Sequence, residues 1–451
     1  MTRYAWGHLF IALHIMKSFL TESIATTCDP SECRSRDNCA CMSMKPPENL
    51  NASAMPQFVM LTFDDAINEQ NMGFYRHLLE PGKRRNRANG CNVAATFFVS
   101  ANHPAGHTDY SFVHELHSVG SEIAIHSITH RDNLTYWRSL DVAGWEAEFV
   151  GARDLLRDYA LIPYEDMVGA RAPYLESGNG SAYTMMRQNG FVYDSSVCIE
   201  YISTTPDGLP FFPYTLDYGL GVGCAVPSCL GGTHHGLWLV PLNSYYMTTT
   251  SAGDGSRAIL SNCSMPDTCT PVPNTEVETL HFLRSNFERY YHSNRAPFPV
   301  FIHETWLRTP GRRQGYLSFV DWLLTLDDVF IVTVAEVVRF MKDPKPIGEY
   351  VQVDCSKASE FKRCPEVHTC SFPDSPIKEA RHLVGCRPCP QRYPWLRDVV
   401  RAVKHDDVSY EVAEKQDFCA GCVILICLAI IVCLAYLSAK PLARRSKTHT
   451  L

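Results

Sequence analysis

From Phe58 onward, short apolar runs rich in β-branched and aromatic residues alternate with longer stretches of helical texture. Seven of these runs read as strands: Phe58–Phe63, Ala94–Ser100, Glu122–His126, Phe191–Val197, Leu237–Leu242, Val300–His303 and Val329–Val334. Helical patterns lie between several of them, such as Trp145–Tyr159 and Val277–Tyr291. Alternation of strand and helix predicts a parallel sheet or barrel, hence an α/β fold. Residues 199–236 and 244–274 carry Gly and Cys without a period and read as long functional loops or insertions. No internal repeat is visible.

The flanks have a different texture. Residues 26–55 are rich in Cys, Pro and Asn and read as a stapled N-terminal arm. A central domain is expected over 56–345. A second Cys-rich stretch follows within 346–396, with five Cys between Cys355 and Leu396, and reads as a stapled appendix on the barrel. Residues 397–417 are mixed in charge and read as a stalk.

Of 19 cysteines, fifteen lie between Cys28 and Cys389. That density points to disulfides in an oxidising compartment. Zinc sites are the alternative, but Cys39-Ala40-Cys41 and Cys386-Arg387-Pro388-Cys389 have no matching Cys/His pairs at finger spacing. Fifteen is odd, so one thiol should be free or pair between chains. Arg3, the apolar stretch Trp6 to Met16 and Ser23-Ile24-Ala25 predict a leader over 1–25. Phe418 to Leu437 carries no charge, and Lys440, Arg444, Arg445 and Lys447 follow at once. This predicts one membrane-spanning helix over 418–438 with a cytoplasmic tail over 439–451: a type I membrane protein whose main body is extracellular or lumenal. Four glycosylation sequons, at Asn51, Asn133, Asn179 and Asn262, agree with that side of the membrane. The net charge of −7 argues against nucleic acid as a partner.

Four strings carry the chemistry, each at the carboxyl end of a predicted strand, the face on which barrel active sites sit. Thr62-Phe63-Asp64-Asp65-Ala66 places two carboxylates together; a cation bound by one would leave the other as a base. Alone, such a pair is usually a surface turn. His126-Ser127-Ile128-Thr129-His130 holds two imidazoles four apart, on one side if helical, and two imidazoles with one carboxylate form a catalytic zinc set. Without Asp65 the bland reading is a pair of surface His. Arg171, in Arg171-Ala172-Pro173-Tyr174, can grip a carboxylate or form an ordinary structural ion pair. His303, ending Phe301-Ile302-His303, is a candidate general acid or a satisfied core His. Thr233-His234-His235 reads as loop His rather than a second metal site.

These strings, in this order, resemble carbohydrate esterase family four, the NodB-homology polysaccharide deacetylases, and within it the animal chitin deacetylases. The resemblance spans roughly residues 28–396, including the Cys arm, Phe212-Pro213-Tyr214-Thr215-Leu216-Asp217-Tyr218 and the Tyr393-Pro394-Trp395-Leu396 end. It implies a distorted (β/α)7 barrel with disulfide-rich extensions. It implies Asp64 as the base, Asp65, His126 and His130 as ligands of zinc (or another divalent metal such as cobalt), and Arg171 orienting the base. It further implies the Tyr174 backbone N–H as an oxyanion donor and His303 as the acid. Trp238 and Leu307 would form the wall of an acetyl pocket, and Asp194 matches a family position whose role stays open. The chain reads Trp238-Leu239-Val240-Pro241 where many animal relatives have Trp-Glu-x-Pro. The function expected is metal-dependent N-deacetylation of N-acetylglucosamine polymers, chitin or chito-oligosaccharides, with release of acetate. The alternative is a catalytically inactive, membrane-anchored glycan-binding protein that retains the fold.

Overall fold

The computed structural model describes residues 28–396, apart from 104–105, 179, 200–207, 222–230, 251–256, 354 and 357. The expected leader, stalk, membrane span and cytoplasmic tail, and the sequon at Asn179, lie outside the described residues. Among the described residues, no helix is long and apolar enough to cross a membrane.

Fifteen strands occur in the described chain. They are β1 (Gln57–Asp65), β2 (Thr96–Val99), β3 (Asn102–His103), β4 (Gly106–His107), β5 (Glu122–Ile125), β6 (Gly169–Ala170), β7 (Tyr193–Asp194) and β8 (Tyr214–Leu216). They continue as β9 (His234–Leu239), β10 (Tyr245–Thr250), β11 (Arg257–Cys263), β12 (Phe298–His303), β13 (Val329–Val332), β14 (His368–Phe372) and β15 (Arg381–Gly385). Nine of them form one sheet in the order β12-β1-β2-β5-β6-β7-β9-β8, with β13 also on β1. Every pairing in it is parallel except β8 with β9. The central strand β1 is buried along eight of its nine residues, which explains its unbroken apolar run: both of its faces are covered.

The sheet curls into a half-barrel. This corrects the expected seven-unit barrel in one respect: nine strands take part, and among the described residues the end strands β12 and β8 do not pair. Strand β8 enters antiparallel from the first region read as loop, 199–236, and the second, 244–274, holds the antiparallel pair of β10 and β11. The strand expected at Leu237–Leu242 runs instead over His234–Leu239, three residues earlier, and stops short of Pro241, which lacks the N–H a ladder needs.

Sheet register brings the four strings level. Asp64 lies beside His303, Asp65 beside Val99, Val99 beside Ile125, and Ile125 beside Ala170. His126 and Arg171 each follow by one residue, so all four strings emerge along a single rim.

Among the described residues, six disulfides staple the chain: Cys28–Cys41, Cys33–Cys39, Cys91–Cys355, Cys263–Cys269, Cys364–Cys386 and Cys370–Cys389. Cys198 is free and buried. The N-terminal arm lies along β8 and β9, where Ala40 N donates to Thr215 Oγ1 at 2.9 Å and Thr215 N donates to Ala40 O at 2.9 Å. The β14–β15 hairpin docks on the Tyr110–Ser118 and Val142–Ala160 helices, with Cys386 N donating to Tyr159 O at 2.7 Å. Gly385 is required there, since a Cβ would meet Tyr159 O at 2.9 Å. The sequon residues Asn51, Asn133 and Asn262 are exposed. Asn51 and Asn133 also cap short helices through Oδ1.

Candidate active site

Asp64 is the last residue but one of β1, and its side chain is buried against Arg171. Arg171 Nη1 donates to Asp64 Oδ1 at 2.6 Å. The guanidinium has no exposed surface and lies between the rings of Phe98 and Phe301, at 4.0 and 4.4 Å from their centroids. Its remaining bonds go to Ser195 O at 2.7 Å, Ser195 Oγ at 3.0 Å and Thr62 Oγ1 at 3.3 Å. Such a fork has one orientation, so the Asp64 carboxylate has one too. Asp194 acts one step behind. It accepts from Ser196 N at 2.9 Å, Ser196 Oγ at 2.5 Å and Tyr183 OH at 3.3 Å, and Ser196 Oγ in turn accepts from Ala172 N at 2.8 Å. Burial pushes the Asp194 carboxyl up to about 6 in spite of these bonds. The structure thus gives Asp194 a role that its residue type left open: it ties the end of β7 to the backbone that carries Arg171.

Asp65 turns the other way because its backbone is left-handed, φ +85°. Its Oδ1 lies 3.2 Å from His130 Nε2 and 3.8 Å from His126 Nε2, and one donor atom from each of the three lies within 4.8 Å of the others. His126 Nδ1 donates to Arg171 O at 2.7 Å, which fixes the tautomer and leaves the Nε2 lone pair facing Asp65. Two imidazoles and a carboxylate, so aimed, suit a small divalent cation with positions to spare. Burial pushes the Asp65 carboxyl up to about 7; Asp64 and Asp267 add to this, and His303 opposes it. A cation between the three donors would reverse that pressure.

The two His do not share a helix, the case in which their spacing alone would put them on one side. They flank a loop after β5 in which Ser127 and His130 are left-handed, with φ +80° and +41°. Tyr174 and Leu175 are left-handed as well, at +56° and +59°. Non-glycine residues reach this region at a cost, and with Asp65 five of them gather around one rim.

His303 ends β12. Its Nδ1 donates to Asp267 Oδ2 at 2.6 Å, its backbone N–H donates to the same oxygen at 2.8 Å, and its Nε2 lies 3.9 Å from Asp65 Oδ2. Burial alone would lower the imidazole pKa. The hydrogen bond and charge of Asp267, with Asp65 and Asp64 behind it, prevail and raise it to about 10. Asp267 thus favours the protonated imidazole and takes its Nδ1–H, while Nε2 faces the site. Asp267 is the site residue that sequence reading missed. It sits in Cys263-Ser264-Met265-Pro266-Asp267-Thr268-Cys269, a loop closed by the Cys263–Cys269 bridge. An acidic residue next to a proline in so short a Cys–Cys interval was the available signal.

The Tyr174 ring is 40% exposed, with its centroid 5.2 Å from that of His130. Burial and then a hydrogen bond to Asp132 push its hydroxyl up to about 12. Trp238 and Leu307 are fully buried. Trp238 donates its indole N–H to Asn38 Oδ1 of the N-terminal arm at 2.8 Å. His234 and His235 lie on strand β9 rather than in a loop; His235 Nδ1 sits 3.1 Å from Asp217, and the pair joins no three-residue metal cluster among the described residues.

No family model matches the chain. It is 33% identical over 387 residues to chitin deacetylase 1 of Bombyx mori, spanning 83% of this chain and 68% of that protein. It is 32% identical over 378 residues to chitin deacetylase 8 of the same organism, spanning 83% and 93%. Among solved structures it is similar to a putative polysaccharide deacetylase from Mycobacterium smegmatis, with 19% identity, a TM-score of 0.42 and coverage of 66% of this chain and 93% of that one. Identity of this level over 83% of the chain with two chitin deacetylases settles the assignment: the chain belongs to the chitin deacetylase family and is a hydrolase of the deacetylase type.

Proposed function

We propose that the protein removes acetyl groups hydrolytically from N-acetylglucosamine polymers, chitin or chito-oligosaccharides, and that it does so with a divalent metal. One observation carries the proposal: two oppositely poised pairs, Asp64–Arg171 and His303–Asp267, flank the Asp65, His126 and His130 donor set. A glycan-binding protein without turnover has no use for both pairs.

A cation held by Asp65, His126 and His130, zinc by the character of the donors and cobalt as a substitute, would supply Lewis acidity towards the acetyl carbonyl. Asp64, held by Arg171, takes a proton from the attacking water. The Tyr174 backbone N–H donates to the carbonyl oxygen as it gains charge. His303 gives its Nε2 proton to the departing nitrogen. Water and amide become acetate and a free amine. Trp238 and Leu307, having no exposed surface, size the acetyl pocket from behind rather than touch its occupant.

Acetate release from chito-oligosaccharides by the purified full-length chain tests this reading; glycan binding without acetate would replace it by the inactive alternative. Metal analysis should give about one ion per chain, as befits a single three-ligand site. The His126→Ala/His130→Ala double variant should hold none, and full occupancy there would sink the ligand assignment.

The same proposal puts the active site outside a membrane. The uncharged run from Phe418 to Leu437 and the basic residues after it support a single type I span, and the disulfides support an oxidising side for 28–396. The sequons at Asn51, Asn133, Asn179 and Asn262 would then carry glycans. A tag placed after Leu451 should be hidden from antibody on intact cells; staining of that tag would refute the topology.

A further inference from the structure

We propose that Glu148 is a positioning residue for the metal ligands: its buried carboxylate is the internal acceptor that shapes the loop between His126 and His130. The inference rests on the proposed metal dependence of the site.

Residues 127–130 leave β5 through two left-handed residues, Ser127 and His130, and reach the Leu134–Ser139 helix only later. On the carbonyl side, Ala101 N donates to Ser127 O at 3.1 Å and Asn102 N to Ile128 O at 3.0 Å, and His130 N donates to Ser127 Oγ at 3.2 Å. The amides of 128 and 129 are held by a side chain from a different element. Glu148 rises from the Val142–Ala160 helix and has no exposed surface. Its Oε2 accepts from two consecutive backbone amides, Ile128 N at 3.0 Å and Thr129 N at 2.9 Å. Its Oε1 accepts from Thr129 Oγ1 and Tyr136 OH, both at 2.6 Å.

None of these four donors is a cation. A buried carboxylate without a counter-ion is costly unless donors satisfy it. Successive amides aimed at one oxygen make a small anion cradle, filled in this fold from within the protein. The cradle exists only while residues 128 and 129 keep their present orientation, and those residues set the span between the two imidazoles. Arg171 O orients one ring directly; Glu148 fixes the backbone that delivers the other. Residues one shell removed from a metal typically tune its affinity by about 10–100-fold.

Two substitutions separate reach from charge. Glu148→Gln keeps the length and one oxygen for the two amides, and its NH₂ can donate to the two hydroxyls. Glu148→Asp keeps the charge but withdraws the oxygens by one methylene. Zinc affinity of the metal-stripped full-length chain is read by competition with a fluorescent chelator, beside the urea midpoint of the metal-free protein. Glu148→Gln should bind zinc within about threefold of wild type, and Glu148→Asp about 10–100-fold more weakly. Zinc binding by Glu148→Asp equal to wild type, with only its urea midpoint lowered, would reduce Glu148 to a structural residue and overturn the proposal. So would weakening by Glu148→Gln without weakening by Glu148→Asp, which would make charge rather than reach the cause. Failure of the wild-type chain to bind zinc at all would fall on the metal reading, and on this inference with it.

Discussion

The two sides of the site, to which the proposed mechanism gives the base and the acid, are built from different materials. On the base side, Asp64 is the last residue but one of β1, Arg171 directly follows β6, and the ion pair between them is buried. Its geometry follows from sheet register. On the acid side, His303 also ends a strand, but its partner Asp267 comes from a disulfide-closed loop after β11, and the His303 side chain is about one third exposed. One half is fixed by the core and the other by a local staple. The base should therefore be hard to perturb without harming the fold, and the acid easy to detune while the fold stays intact.

Breaking the base side should have the largest effect. Asp64→Asn should lower turnover by about 10²–10⁴-fold while metal stays bound, the usual worth of a general base. Retained deacetylation in that variant would show that Asp64 is not the base. Arg171→Met should abolish turnover to a similar degree and also destabilise the protein by roughly 3–5 kcal/mol, because it strands a buried carboxylate. Urea unfolding measures that cost, and a small change would mean that the pair is not fixed by the core.

The acid side should respond more gently. Asp267→Asn removes the charge that holds His303 protonated up to about pH 10. An acid works below its pKa, so the alkaline limb of the kcat profile should move to lower pH in this variant. At neutral pH the expected loss is below about 10²-fold. An alkaline limb that stays in place would show that Asp267 does not tune His303. The smallest effect is expected from Cys263→Ser/Cys269→Ser, which loosens the loop without removing the carboxylate. Its turnover should fall by about tenfold or less, below the scale tied to a misplacement of roughly 1 Å. Zinc binding should not change in either acid-side variant.

The same contrast explains what could be read from the chain alone. Asp64, Asp65, His126, Arg171 and His303 were legible because each polar residue interrupts or follows an apolar run at a strand end. The register that brings them level was not, since it depends on pairing between distant segments. β6, two residues long, has no period to detect; it was visible only as the residues before Arg171. Asp267 lay inside a stretch without a pattern. Glu148 sits in a helix whose acidic residues ordinarily read as its solvated face. The His126–His130 spacing would put both rings on one side of a helix, whereas a loop with left-handed residues brings them together here. Trp238 rests on resemblance alone, and no local signal could have shown that its indole answers to Asn38, 200 residues away.

The Cys91–Cys355 bridge sets a timetable for making this molecule. Its partners are 264 residues apart, so at roughly 5–20 residues per second Cys91 waits about 13–53 seconds for Cys355 to be synthesised. The staples of the N-terminal arm, 13 and 6 residues apart, can close almost as soon as they emerge. Cys198 appears during the wait and ends as a free, buried thiol. Until its segment packs beside Leu242, it is a competitor for Cys91. Cys198→Ala should therefore raise the yield of correctly bridged protein in an oxidising compartment, and non-reducing gels of newly made chains would show fewer mispaired forms. Burial of Cys198 in the finished fold is then a way of retiring a thiol whose reactivity is a hazard only while the chain is incomplete.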